Sequence, residues 1–431
     1  MSFELPSQIV DACNSGQLII FAGAGISTES KNVYPSSFYQ EIKNKVGISD
    51  GEEISFSKLM SKYCSSPRSR KDLLLDIKER IDYVKSFPEL YSEATKFHNE
   101  LSTIPHIHEI FTTNWDDFFE RECDATPIVT GEDYAVFEDI PGRKVFKLHG
   151  SVYNYGSIIA TEEDYKKCYH SLKTGIIGAK LKTHFLSKTM VFIGFSFEDE
   201  DFQKIYKLLS KDVDGLIPHF YVVTLDDKAK EKINSLKIKV IPIITDGTFF
   251  IKKLKEKLSE QHQMIPDEHF LGIEELLYKI EIEHKHVSNL DLRKFPDAIY
   301  SLVYQDGLQH SFQHILANGH SGFTSNVERA FNVVDSYEYL IKGHRKSKDY
   351  SNVAYFTGYH LGQLYFLIPP KDRPKISFYY LFGYDEDIME FKKFLKILKK
   401  SHEFHKSAHK HAKKMISNIK SNDMVIHRRP I

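Results

Sequence analysis

Three short segments put polar groups where apolar runs end. The first is IIFAGAGIST, Ile19 to Thr28. Apolar residues run into Gly23 and Gly25, one residue apart, and then into Ser27 and Thr28. Glycine after a strand permits a tight turn and close approach of backbone N–H groups to an anionic oxygen. A dinucleotide fingerprint places a third glycine three residues after the second, and Thr28 stands there instead. The turn by itself points to a phosphate-bearing ligand without choosing one. The second segment is TTNWDDF, Thr112 to Phe118. Asn114 offers an amide donor and acceptor together, and Asp116 a carboxylate. The third is KLHGS, Lys147 to Ser151. Its His149 can take a proton from a hydroxyl or water near neutral pH. A fourth run, GFSFEDEDF, Gly194 to Phe202, adds Gly194, Phe195 and Ser196.

Each segment also has an ordinary structural reading. Asn114 and Asp116 suit the start of the helix that follows them. A lone histidine at a strand end is commonly a hydrogen-bonded core group. The acidic run Glu198 to Asp201 fits the first turn of a helix. What favours ligand chemistry is that these segments end successive strands, and the carboxyl ends of parallel strands are where open α/β sheets bind ligands.

Those strands are legible as short, nearly continuous apolar runs: Leu18 to Gly23, Ile107 to Asn114, Lys144 to Gly150, Thr189 to Ser196, His219 to Leu225 and Ile238 to Ile243. Such runs belong to a parallel sheet covered on both faces. Helical patterns lie between them, at Asp116 to Cys123 and Asp201 to Leu209. The expected fold is α/β, a doubly wound, mostly parallel Rossmann-like sheet. The stretch 35–105 carries no strand pattern and reads as a helical insertion. SEQHQMIPDEHF, Ser259 to Phe270, marks a boundary between a domain over 1–262 and a mainly helical one over 263–431. The last helix candidate spans Glu390 to Ile419. Phe391, Phe394, Leu395, Leu398, Ala408, Ala412, Met415 and Ile419 form an apolar stripe opposite Lys and His residues. That basic face reads as solvated, or as a surface for a partner.

The chain has 431 residues and a formal net charge of -1, which argues against a protein built wholly around nucleic acid. No apolar run reaches the ~18–20 residues that span a bilayer. The N-terminus lacks the basic start and apolar core of a signal peptide, so a cytoplasmic protein is expected. Cys13, Cys64, Cys123 and Cys168 are scattered, with none of the paired spacing that a tetrahedral zinc site needs, so no metal is expected.

GAGIS, TTNWD, KLHGS and GFSFEDEDF, in this order and spacing, resemble the sirtuin-type NAD-binding domain, and more closely the sirtuin-like domains of bacterial anti-phage defence proteins. The resemblance covers roughly residues 1 to 260. Sirtuins carry T-Q-N-x-D at the second motif. Thr113 replaces the glutamine here, a change associated with the NAD-hydrolysing branch. The resemblance implies a sirtuin-type sheet and an NAD glycohydrolase that makes nicotinamide and ADP-ribose, with NAD as substrate and no metal. It implies catalytic roles for Asn114, which holds water or a ribose hydroxyl; for Asp116, which anchors the nicotinamide amide or steadies the loop; and for His149 as a base. Ala22, Gly23, Ala24, Gly25, Ile26 and Ser27 would cradle the pyrophosphate. Thr113, Asn114 and Asp116 would complete the NAD site, with Gly194, Phe195 and Ser196 on the adenosine side. TEEDY, Thr161 to Tyr165, is similar to a segment that follows the catalytic histidine in this branch. Two other readings stay open: an NAD-dependent protein deacylase, from which the cysteine spacing departs, and a noncatalytic nucleotide sensor. Preference for NADP over NAD is not decided by these residues. Such domains act in abortive infection, so the resemblance further implies a homo-oligomer held inactive until a partner engages it. HerA-type ATPases, Argonaute proteins and phage components are the known kinds of partner, with nucleic acid engaged only through the partner and no membrane.

Overall fold

Phenylalanines set the register of the central sheet. Phe111 stacks on Phe146 at 4.5 Å between ring centroids, Phe21 on Phe192 at 5.1 Å and Phe21 on Phe111 at 6.1 Å. This ladder lies on one face and belongs to the core that Phe185, Met190 and Phe220 extend. The computed structural model describes residues 3–30, 32–49, 51–65, 67–195, 203–207, 220–236 and 240–417. Ser196, the acidic run at 198–201 and Ile419 lie outside the described residues. The chain divides into two compact units, Met1–Gln261 and His262–Ile431.

The first unit holds one sheet of seven parallel strands. They are β1 (Leu18–Ala22), β2 (Glu109–Thr112), β3 (Thr126–Ile128), β4 (Lys144–Lys147), β5 (Thr189–Ile193), β6 (Phe220–Thr224) and β7 (Ile241–Ile244). Their spatial order is β3-β4-β2-β1-β5-β6-β7. Helices cover both faces, which is why β1 is buried at every residue and reads as an unbroken apolar run. From β1 the chain moves to β2 on one side, and β5 later joins β1 on the other. The carboxyl ends of β1 and β5 therefore bound the crevice where the winding reverses, the ligand position of open α/β sheets.

Between β1 and β2 lie helices at Phe38–Val46, Phe56–Ser65, Arg70–Ser86 and Pro88–Ser102, with no strand among the described residues of this stretch. Local chemistry starts them. The Ser37 hydroxyl accepts from Gln40 N at 3.2 Å, and Pro88 opens the last helix, where its missing N–H costs nothing. Ile42, Leu59, Met60, Leu73 and Ile77 give the insertion its own core.

The structure corrects the sequence reading at two elements. The edge strand β3 was not expected. It has only three residues, one of them Pro127, too little pattern to register as a strand. The single helix expected over Glu390 to Ile419 is instead three: Phe391–Leu398, Ser401–Phe404 and Lys406–Ser417. Buried Asp297 explains the breaks. Its Oδ2 accepts from Ser401 Oγ at 2.6 Å and lies 2.7 Å from His409 Nδ1, two groups that a continuous helix would set about 12 Å apart along its axis. His405 Nδ1 then accepts from Ala408 N at 3.1 Å and starts the last helix. Side-chain hydrogen bonding here overrides an uninterrupted apolar period.

The second unit is built on Ile273–Ser288, Ala298–Asn318, Val327–Ser347 and Tyr350–Leu367. Ala298–Asn318 and Tyr350–Leu367 are buried on most sides, as central helices are. They cross through a reciprocal glycine contact. A Cβ on Gly307 would fall 2.1 Å from Tyr355 O, and one on Gly358 would fall 2.0 Å from Tyr304 O. Gly358→Ala gains helix propensity of about 1 kcal/mol but forces backbone apart, an overpacking cost of ~1–3 kcal/mol. We expect the variant to unfold at lower urea concentration than wild type. A higher midpoint would show that the crossing is not held at that separation.

Candidate active site

The β1 turn and the end of β5 touch. Gly23 N donates to Ile193 O at 2.8 Å and Gly25 N to Gly194 O at 3.0 Å. A Cβ on Gly23 would sit 2.6 Å from Gly194 O, and one on Gly194 2.7 Å from Gly23 O. The glycines are thus required by backbone packing as well as by any ligand. Within this turn Ile26 N donates to Gly23 O and Ser27 N to Ala24 O. The N–H of Ala24, at the start of the short 3-10 turn Ala24–Ile26, is the donor of this run with no partner among the described residues. The expected pyrophosphate cradle therefore narrows to the Ala24 N–H and the polar groups around it.

The segment after β2 is stapled to that turn. Thr112 Oγ1 donates to Ala22 O at 2.9 Å and accepts from Asn114 N at 3.0 Å. Asn114 Nδ2 donates to Gly23 O and to Ser27 Oγ, each at 3.3 Å. This orients the amide and leaves Asn114 Oδ1 buried with no hydrogen-bond partner among the described residues. Ser27 Oγ in turn donates to Asp116 Oδ2 at 3.0 Å, and Phe118 N donates to Asp116 Oδ1 at 3.3 Å. Asp116 thus bonds the first amide of the helix Phe118–Cys123, whose N-cap residue is Asp117 rather than the expected Asn114 or Asp116. Burial pushes the Asp116 carboxyl above the usual carboxylate range, against the pull of the Lys147 ammonium and of these hydrogen bonds.

His149 follows β4 and is 2% exposed. Its backbone carbonyl accepts from Ile159 N at 3.0 Å, and its ring packs edge-on against Tyr165 at 5.2 Å. Tyr165 belongs to the helix Glu162–Thr174, whose capping box pairs Thr161 with Asp164. TEEDY therefore starts a helix and lays an aromatic ring beside the histidine.

A cleft of about 1790 Å³ opens over these strand ends. Of the residues expected in the site, Ala24, Gly25, Ile26, Thr113, Asn114, Asp116, His149, Gly194 and Phe195 line it. Ala22 and Gly23 support it from behind, and Ser27 is wholly buried within the Asn114–Asp116 bonds. Among the described residues no cluster of His, Cys, Asp or Glu is arranged to hold a metal ion. Cys13, Cys123 and Cys168 are buried, and burial pushes the thiols of Cys13 and Cys123 up to about 12.

The sequence reading missed Arg80. Its guanidinium lies 3.6 Å over the Tyr34 ring, bonds Glu41 Oε1 at 2.7 Å and Ser36 O at 3.0 Å, and pairs with Glu29 at 3.1 Å. It ties the loop after the glycine turn to the helix Arg70–Ser86 and forms part of the cleft wall. An arginine inside an insertion read only as helical carries no motif, so nothing local could mark it.

The profile of the SIR2-like domain matches residues 108–243, from the start of β2 to β7. The chain carries a sirtuin-like domain. It is similar to "NAD(+) hydrolase ThsA" of Enterococcus faecium, 28% identical over 200 residues, covering 45% of this chain and 40% of that protein. "NAD(+) hydrolase ThsA" of Bacillus cereus (strain MSX-D12) is 26% identical over 197 residues, 43% of this chain and 38% of that one. "Defense-associated sirtuin 2" of Bacillus subtilis is 22% identical over 219 residues, 48% of this chain and 21% of that one. The chain spans about 40% of the length of the curated relatives named ThsA. Among the described residues no helix is long and apolar enough to cross a membrane.

The buried Asp116 of the sirtuin-like domain has a measurable consequence. Its folded-state pKa lies above 3.8, its ordinary value. The folded protein keeps a proton there that the unfolded chain releases, so this group's contribution to stability falls as pH rises above 3.8. Asp116→Asn removes that dependence. Urea unfolding across a pH series should show the free-energy gap moving in favour of the variant as pH rises through this window. A gap that is constant with pH would contradict the raised pKa.

Proposed function

We propose that this protein is an NAD glycohydrolase, cleaving NAD to nicotinamide and ADP-ribose as the effector of an anti-phage defence system. The observation that carries the reading is the oriented Asn114 amide, whose buried Oδ1 has no hydrogen-bond partner among the described residues and lies in a cleft at the switch point of a sirtuin-like sheet. The names of the relatives support it: four are called NAD(+) hydrolase ThsA and one a defence-associated sirtuin.

Departure of nicotinamide leaves a cationic, oxocarbenium-like ribose. The Ala24 N–H takes a pyrophosphate oxygen. Asn114 Oδ1 accepts from the water or from a hydroxyl of the nicotinamide ribose, with its own orientation already set by Gly23 O and Ser27 Oγ. Asp116, joined to the Asn114 amide through Ser27 Oγ, receives the nicotinamide amide or steadies the loop. His149 takes the proton from water or from the ribose hydroxyl. Tyr165 and Trp115, both on the cleft wall, limit the water that reaches the reacting carbon.

An enzyme that destroys a central cofactor needs control. We assign that role to the helical unit His262–Ile431, acting through a homo-oligomer and released by a partner that reports infection, a HerA-type ATPase, an Argonaute protein or a phage component.

The test is incubation of the full-length protein with NAD, with and without candidate activators, followed by chromatography. Nicotinamide and ADP-ribose should form. Asn114→Ala and His149→Ala should each remain folded and lose at least ~10²-fold in turnover, the lower range for deleting one positioned donor or acid–base group. Release of nicotinamide only when an acetylated peptide is supplied would replace hydrolysis with deacylation.

A further inference from the structure

Lys147 is the last residue of β4, two positions before His149, and its side chain has no exposed surface. An ammonium taken fully out of water needs partners for its protons. Among the described residues Lys147 Nζ has two, both from the segment that carries the candidate amide and carboxylate. It donates to the main-chain carbonyl of Asp116, and to Glu120 Oε1 at 3.0 Å. Glu120 lies on the helix Phe118–Cys123 and is itself almost fully buried. β4 and β2 are paired through Lys147 and Thr112, so the lysine reaches across from the strand that bears His149 to the turn that bears Asn114.

We propose that Lys147 is a positioning residue: by holding the Asp116 carbonyl it fixes the Asn114–Asp116 turn against the His149 strand. The side-chain bonds of Asn114 and Asp116 define where those groups point only if the backbone between them stays in place. Thr112 holds that backbone at its entrance through Asn114 N. Val152 N, donating to Trp115 O at 2.9 Å, holds the middle. Lys147 holds the exit. Glu120 Oε1 takes the ammonium's second hydrogen bond, which an amide oxygen at the same position also accepts. This separates two functions of one lysine, charge balance toward Glu120 and backbone anchoring toward Asp116, and they are separable by mutation. The turnover arm rests on the NAD hydrolase reading; the anchoring itself does not.

The test compares Lys147→Met/Glu120→Leu with Glu120→Gln in the full-length protein. The double variant removes the Lys147–Glu120 pair together and deletes the carbonyl anchor, while the Asp116 carboxyl loses the nearby ammonium but keeps its bonds from Ser27 Oγ and Phe118 N. Glu120→Gln keeps the lysine and its bond to Asp116 O. For the double variant we expect a folded protein whose kcat falls by ~10²-fold while the dissociation constant for NAD changes little, the pattern of lost positioning rather than lost binding. Hydrogen exchange at the Asn114 and Phe118 amides should quicken by about tenfold, because the turn opens locally. Glu120→Gln should keep turnover within about threefold and keep those amides protected. Wild-type kcat and unchanged exchange in the folded double variant would show that Lys147 only balances Glu120. Loss of turnover and protection in Glu120→Gln would also overturn the proposal, and it decides the matter should the double variant fail to fold. If the wild-type protein leaves NAD intact, the hydrolase reading fails, and the exchange measurement alone decides whether Lys147 anchors the turn.

Discussion

The Asp116 carboxylate, withdrawn from water, constrains everything around it. A buried carboxylate is tolerated only where hydrogen bonds and a nearby cation offset its lost hydration. Here those bonds come from Ser27 on the β1 turn and from the first turn of the helix after β2, and the cation is Lys147 on β4. Satisfying one group therefore requires three chain segments to meet in one arrangement. That arrangement also sets Asn114, because Ser27 Oγ accepts from its amide while donating to Asp116. The glycine turn, the asparagine and the carboxylate behave as one hydrogen-bonded unit rather than as separate motifs.

The sheet makes this unit buildable. Phe21, Phe111, Phe146 and Phe192 lock neighbouring strands in register, so Ala22, Thr112, Lys147 and Ile193 align across the sheet. A one-residue slip would turn the phenylalanines out of the core and carry the polar residues away from one another. The residues just beyond this line emerge on a common rim. The reversal of winding between β1 and β5 then leaves room for a ligand there. Gly23 and Gly194 permit the contact that closes the back of the crevice.

Much of this was legible in the sequence, for physical reasons. Strands covered on both faces must be continuously apolar, so β1, β2, β4, β5 and β6 stand out with their polar ends attached. The candidate site residues of this rim then line one cleft, apart from Ala22, Gly23 and Ser27, which lie behind it, and Ser196, which lies outside the described residues. What was not legible depends on contacts distant in sequence. Arg80 acts through Glu29, Ser36 and Glu41 after the chain has folded back, and its helix pattern looks ordinary. Lys147 reads as the polar end of a strand until Glu120 and Asp116 O are seen beside it. The break in the C-terminal helices follows from Asp297, about a hundred residues away, which no local period encodes.

The central claim is that NAD sits with its pyrophosphate at the β1 turn and its nicotinamide ribose at Asn114. The most direct measurement is a crystal structure of the His149→Ala protein soaked with NAD, a variant expected to bind the dinucleotide without consuming it. The account predicts continuous density across the carboxyl ends of β1 and β5, a pyrophosphate oxygen within hydrogen-bond reach of the Ala24 N–H, and the nicotinamide ribose within reach of Asn114 Oδ1. NAD bound elsewhere, or this cleft empty in a saturated crystal, would contradict it.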